Sequence, residues 1–180
     1  QLAGLKAPSS DDWARRRMQI DPVAFPPADH DHRRCVQDMM ARVENLCAKR
    51  HLRLTTQRRR VLDIVAANHV ALGAYEILAR MGNADRALAP ISVYRALAFL
   101  LDHGLLHRVE SLNAYVACTH VGDQHSAQLL VCSTCRRVAE LECPIITDAV
   151  FAEATAASFT VTRPIVEIGG ICGACRTAGA

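Results

Sequence analysis

Apolar residues recur at helical spacing through VQDMMARVENLCAKR, where Val36, Met39, Met40, Val43, Leu46 and Cys47 fall on one face, so a helix is predicted from Val36 to about Arg50 with Cys47 in its core. A second helix follows in TTQRRRVLDIVAAN, opened by Thr55 or Thr56 as N-cap and burying Val61, Leu62, Ile64 and Val65. ALGAYEILARM is predicted as a third, with Ala74, Ile77, Leu78 and Met81 inward. Past the polar GNADRAL loop, Pro90 introduces ISVYRALAFLLDHG, a fourth helix that Gly104 ends. Its stripe is Val93, Ala96, Leu97 and Leu100, which leaves Tyr94 and Arg95 facing away.

The period then changes from helical to alternating. LLHRVE and AYVAC, separated by SLN, predict a β-hairpin. Helices followed by a hairpin fit a winged helix-turn-helix, and the same pattern also fits a helical bundle capped by a hairpin. Residues 126–132 and 137–141 alternate again, PIITDAVFAEATAAS has helical spacing, and FTVTRPIVEIG reads as a long strand whose Pro164 places it at an edge or bulge. The prediction is an α+β chain with a small second domain.

Charge divides the chain in the same way. The net charge of +3 hides eleven Lys or Arg against seven Asp or Glu over residues 36–110, and four against six over 111–180, so a polyanion would meet the first half. With 51% hydrophobic and 22% charged residues the chain is expected to be globular. No apolar run approaches the roughly 20 residues of a bilayer span, and the polar start lacks a secretory leader, so a soluble, cytoplasmic protein with no membrane partner is expected. Residues 1–34 are set apart as a disordered N-terminal extension, and ADHDHRR within them reads as a solvated arm rather than a metal trap.

In a reducing compartment eight cysteines read as ligands or redox groups before disulfides. Cys132 and Cys135 form one Cys-x-x-Cys pair, and Cys172 and Cys175 form another. Two such pairs close a four-thiolate tetrahedron. Thioredoxin-like redox chemistry is the alternative, disfavoured because both pairs are placed at strand edges rather than at the start of a helix. Zinc is the expected metal over iron. The residue after such a pair often takes a left-handed conformation, and here it is Arg136, at a cost of about 1 kcal/mol.

His107, Cys118, His125 and Glu140 straddle the junction of the two halves, and together they supply one thiolate, two imidazoles and one carboxylate, a complete zinc shell. Sulfur favours zinc over iron(II) or manganese there. His120 and His103 are alternative ligands, while Cys143 and Cys35 have no partner recognisable in the sequence. There is no HExxH and no nucleophile motif, so the chain does not read as an enzyme.

LRLTTQRRRVLDIV, ISVYRALAFLLDHGLLHRVESLNAYVAC and the paired VCSTC and GICGAC resemble the ferric uptake regulator family over about residues 36–176, most closely its zinc uptake regulator branch. The resemblance implies a winged-helix DNA-binding domain over 35–117 and a dimerisation and metal-binding domain over 118–180. It implies a homodimer on double-stranded operator DNA, repressing when a hinge zinc is bound, and two zinc ions per chain. Cys132, Cys135, Cys172 and Cys175 match the family's structural site. His107, Cys118, His125 and Glu140 match the regulatory site of the zinc-sensing branch. Tyr94 and Arg95 match the recognition-helix pair, and Arg53 and Arg58 the basic approach to the DNA backbone. The chain departs from the pattern in SVYR for TVYR, in Arg136 for Gly, and in CTHVGDQH where iron-sensing members carry a long histidine-rich loop.

Overall fold

A computed structural model describes residues 31–67, 69–82, 89–122, 127–141 and 143–179, together with Phe25. Helix α1 spans His32–Lys49, with the Asp31 side chain as N-cap accepting from the Arg34 N–H at 3.2 Å. It begins four residues before the predicted Val36, because a capping aspartate is available there. Residues 31–34, grouped by sequence with the N-terminal extension, are thus its cap and first turn. Helix α2 is Thr56–Ala66, and Thr55 is its N-cap, accepting from the Arg58 N–H.

The third predicted helix is shorter than its periodicity suggested. Leu72–Gly73 form strand β1, paired with Tyr115 and Ala114, and helix α3 occupies only Ala74–Met81. Gly73 serves as its N-cap, its N–H donating to Glu76 Oε2 at 2.6 Å. Helix α4, Pro90–Asp102, carries the predicted stripe with Val93, Ala96, Leu97 and Leu100 all buried. It closes in a Schellman turn: Gly104, at φ +66, donates to the Leu101 carbonyl and Leu105 to that of Leu100.

Strand β2 (Leu106–Val109) and strand β3 (Ala114–Ala117) form the predicted hairpin, joined by a 3₁₀ turn over Glu110–Leu112 and a left-handed Asn113. With β1 they make an antiparallel sheet in the order β1-β3-β2. Three helices packed with a three-stranded wing make a winged helix rather than a capped bundle.

The second half is a sheet of β4 (Gln128–Cys132), β5 (Val138–Leu141) and β6 (Val166–Gly170), in the order β5-β4-β6, with helix α5 (Pro144–Ala156) between β5 and β6. β4 and β5 are antiparallel, while β4 and β6 are parallel. The long strand predicted over 159–169 is realised only from Val166, beyond Pro164, and it lies at the sheet edge as a proline-bearing segment should. Helix α6, Gly173–Thr177, follows.

One apolar cluster fills the helical half; a second joins the sheets, packing Ala71, Val109, Ala114 and Val116 of the wing against Leu129, Val131 and Val138. Backbone bonds reinforce this junction, from Val138 N–H to the His69 carbonyl at 2.9 Å and from Ala71 N–H to that of Arg136 at 3.2 Å. Among the described residues no helix is long and apolar enough to cross a membrane.

Candidate metal centres and nucleic-acid interface

The register of β4 with β6 decides where the cysteines meet. Cys132 pairs with Gly170 at the end of the parallel ladder, and the Ser133 N–H donates to the Gly170 carbonyl at 2.8 Å, so Cys172 emerges beside Cys132. The sulfurs of Cys132, Cys135, Cys172 and Cys175 lie within 4.8 Å of one another, with Cys135 and Cys172 at 3.8 Å. Arg136 takes the left-handed conformation expected of it, φ 59°, and its N–H closes the turn on the Cys132 carbonyl. The second pair corrects one expectation: it opens helix α6 after strand β6, with Cys172 as N-cap, which is the local setting of a redox motif. Convergence of both pairs, not local setting, speaks for a metal.

Electrostatics agree. The Cys172 N–H, with other backbone donors, holds the Cys132 thiol down to about 6, whereas hydrogen bonding with Cys135 and Cys172 pushes Cys175 up to about 12. Burial raises Cys135 as well. Four thiolates cannot coexist at this spacing without a compensating cation, and a tetrahedral divalent ion with sulfur ligands is zinc's preferred setting.

At the junction of the halves, His107 on β2, Cys118 just after β3 and Glu140 on β5 bring their donor atoms within 4.8 Å of one another. His107 Nε2 is 2.9 Å from Glu140 Oε1, and Cys118 Sγ is 4.0 Å from the same oxygen. Cys118 and Glu140 are buried and His107 is half-buried. Burial pushes the Glu140 carboxyl up, but the hydrogen bond and charge of His107, with the donors of Thr119, outweigh it and hold the group well below the usual carboxylate range. Thr119 binds Glu140 Oε2 through its N–H at 2.8 Å and its hydroxyl at 2.7 Å. Sequence reading missed this threonine; its position next to Cys118 was the only signal. The carboxylate is therefore ionised and oriented, and a thiol, an imidazole and a carboxylate within reach of one point fit zinc.

His125, the fourth predicted ligand, lies outside the described residues. Of the alternatives, His120 Nδ1 is 3.7 Å from Glu140 Oε1 and 3.1 Å from the Thr119 hydroxyl. His103 is the C-cap of α4 and stacks edge-on against Phe99 at 4.4 Å, outside the converging set.

On the opposite side of α4 from its buried stripe, Tyr94 is 44% exposed and Arg95 is exposed as well. Arg53 is exposed in the segment before α2. Arg58 differs: its guanidinium lies over the Phe99 ring at 3.5 Å and donates to the Arg53 carbonyl at 2.6 Å, so it fixes the approach segment to α4.

The model of the ferric uptake regulator family matches residues 49–168. The chain belongs to the ferric uptake regulator family. It is 37% identical over 141 residues to the zinc uptake regulation protein of Escherichia coli K12, covering 77% of this chain and 82% of that one, and equally to that of Shigella flexneri. Among solved structures, a zinc uptake regulator complexed with zinc and DNA superposes with a TM-score of 0.74 at 36% identity, covering 79% of this chain and 96% of that one. The crystal structure of holo XcZur gives 0.72 at 38% identity, covering 79% and 99%. Cys172 and Cys175 fall beyond the stretch that the ferric uptake regulator family model matches. They join the site through the β4–β6 register described above.

Proposed function

We propose that the protein is a zinc-responsive repressor that binds double-stranded operator DNA as a homodimer, with the hinge zinc enabling binding. The observation that carries this reading is the convergence of His107, Cys118 and Glu140 from the wing, the connection after it and the second sheet. A ligand set spread over two units binds tightly only when the units hold one relative placement, so occupancy and placement are thermodynamically linked. Likeness to a zinc uptake regulator complexed with zinc and DNA supports it. Zinc held by these residues would cross-link the elements that carry them without redox chemistry, and the cysteine at the hinge favours it over iron(II) and manganese.

The residues divide the work. Cys132, Cys135, Cys172 and Cys175 hold a structural ion, and His107, Cys118 and Glu140, with His125 as the fourth ligand, hold the regulatory one, two in these shells per chain. Thr119 keeps Glu140 aimed. Tyr94 and Arg95 enter the major groove, where an arginine fork reads guanine O6 and N7, while Arg53 and Arg58 approach phosphates.

Division at residue 117/118 into a winged-helix domain and a dimerisation domain belongs to the same proposal. Exposed Val150 and Phe151 on α5, with Phe159, Ile165, Ile168 and Ile171 around β6, give the second half an apolar surface suited to a second copy of the chain. The test is titration of labelled operator DNA with protein whose four-cysteine shell is filled, with and without further zinc. Dimer binding that tightens on zinc addition supports the reading; binding indifferent to zinc overturns it.

A further inference from the structure

A third convergence of donors lies outside both shells. His32 and Cys35, one turn apart on α1, meet His69 of the segment between α2 and β1, and their ligand atoms all lie within 4.8 Å of one another. We propose that these three residues form an additional metal site for zinc or another thiophilic divalent ion, one that pins the start of α1 to the junction of the two halves.

Each part of the geometry suits a ligand set. The His32 and His69 rings meet edge to face with centroids 4.7 Å apart, an arrangement that simple packing also produces. Packing does not require a thiol as third member, and Cys35 supplies one. His32 Nε2 is 3.0 Å from the Ala66 carbonyl. A ring nitrogen that donates to a backbone carbonyl is held in orientation, the kind of carbonyl support that ligating histidines commonly have. The Asp31 cap fixes the first turn of α1, so His32 and Cys35 stand on one face by helical spacing.

All three residues line a cavity of about 70 Å³, whose lining also includes Arg42, Cys118 and Glu140. That volume is far below the several hundred Å³ of an organic-ligand pocket and suits an ion with its remaining water. One thiolate and two neutral imidazoles leave a coordination position open, as in exchangeable rather than structural zinc sites. Binding takes the proton from the Cys35 thiol and leaves a net charge of +1 on the site.

The site also has a mechanical setting. The His69 carbonyl accepts from Val138 at 2.9 Å, so a metal on the His69 ring sits on the same residue as one of the backbone bonds that join the two halves. Occupancy would tie α1, that junction and the hinge cavity together. Neither the four-cysteine shell nor the hinge set contributes a ligand to it.

Cobalt(II) titration of the full chain with zinc retained in the four-cysteine shell tests the site, since thiolate-to-cobalt charge transfer reports sulfur ligation. Two equivalents are expected in the wild type, both with thiolate bands. Cys35→Ser should lose one equivalent and about half the band intensity, and His69→Gln should weaken that equivalent at least tenfold. Cys35 and His69 are half-buried, so both variants are expected to keep the wild-type circular dichroism. Cys118→Ser reports the hinge independently by removing the other half of the band. Uptake of a single equivalent in the wild type that Cys35→Ser leaves intact would overturn the proposal, and so would a full band in Cys35→Ser or a second cobalt lacking any thiolate band.

Discussion

The two principal donor clusters are built on opposite plans. The cysteines Cys132, Cys135, Cys172 and Cys175 come from the end of β4, the turn after it and the start of helix α6, set by the parallel pairing of β4 with β6, so that shell closes within a single folding unit. His107, Cys118 and Glu140 come from the wing strand β2, the connection after β3 and the second sheet, and hydrogen bonds tie Glu140 to His107 and to Thr119 beside Cys118. The contrast teaches a rule about placement. Ligands drawn from one unit make metal binding part of that unit's folding free energy, whereas ligands drawn from two make it a measure of how the units sit.

The largest test of this contrast is Cys172→Ser. Apparent binding energies of about 10–16 kcal/mol for structural zinc in finger peptides imply that losing one of four ligands removes cooperative folding of the second half. Loss of one tightly held zinc and of the thermal transition is expected; unchanged zinc content and Tm would show that the cysteines are not a shell. Cys118→Ser should be milder in folding and sharper in response. It should keep the structural zinc and dimerise, while zinc-stimulated operator affinity falls by roughly 5–150-fold, the range of a coupling of about 1–3 kcal/mol. Full zinc response in that variant would make Cys118 a packed core thiol and return His120 to consideration.

Arg95→Ala and Arg58→Ala separate readout from support within the winged helix. Arg95→Ala should lose about 1–3 kcal/mol of base discrimination, seen as a flattened preference among operator variants. Arg58→Ala should lower affinity evenly and reduce the salt slope by about 1. It should also destabilise the winged helix by about 0.5–1 kcal/mol through loss of the Phe99 stack. The smallest effect belongs to Glu167. Burial raises its carboxyl, but the Ser111 and Glu110 donors together outweigh that and hold it below its ordinary value. A depressed pKa contributes stability above the unfolded value of about 4.3 and loses it as pH falls through the folded one. Denaturant melts across that acid range should therefore fall less steeply for Glu167→Gln than for wild type.

Much of the winged helix was legible because helices announce themselves locally. Periodicity placed the buried stripe of α4, Thr55 capped α2 as its hydroxyl allows, and Gly104 ended α4 at positive φ. Strand β1 was not legible, since Leu72 and Gly73 become a strand only by meeting Tyr115 and Ala114 far along the chain. The four cysteines were readable from spacing, and so was the left-handed Arg136. His107, Cys118, His125 and Glu140 were singled out as a complete set of ligand types and then matched by family resemblance, and the structure brings the first two together with Glu140. Their orienting partner Thr119 had no pattern to mark it. Cys35, which seemed partnerless, lies beside His69 only because α1 packs back across the end of α2, a contact that no local period records.

Leu72, Tyr115 and Arg108 form one row across the wing sheet, so Ala71, Val116 and His107 occupy the next. The two ends of that second row are attached to the other half, Ala71 through Arg136 and His107 through Glu140. Two fixed points define an axis of rotation. The turn at Glu110 and Ser111, held by Glu167, lies about three residues farther along, on the order of 10 Å off that line. Three contacts that are not collinear remove all rigid-body freedom. Without the turn, the remaining polar pins oppose rotation about the row least, and that restraint falls to the packing of Val109, Ala114 and Val116 on the second sheet. The wing is thus a plate on three pins backed by the apolar cluster, and α4, which packs on β2, is carried with it.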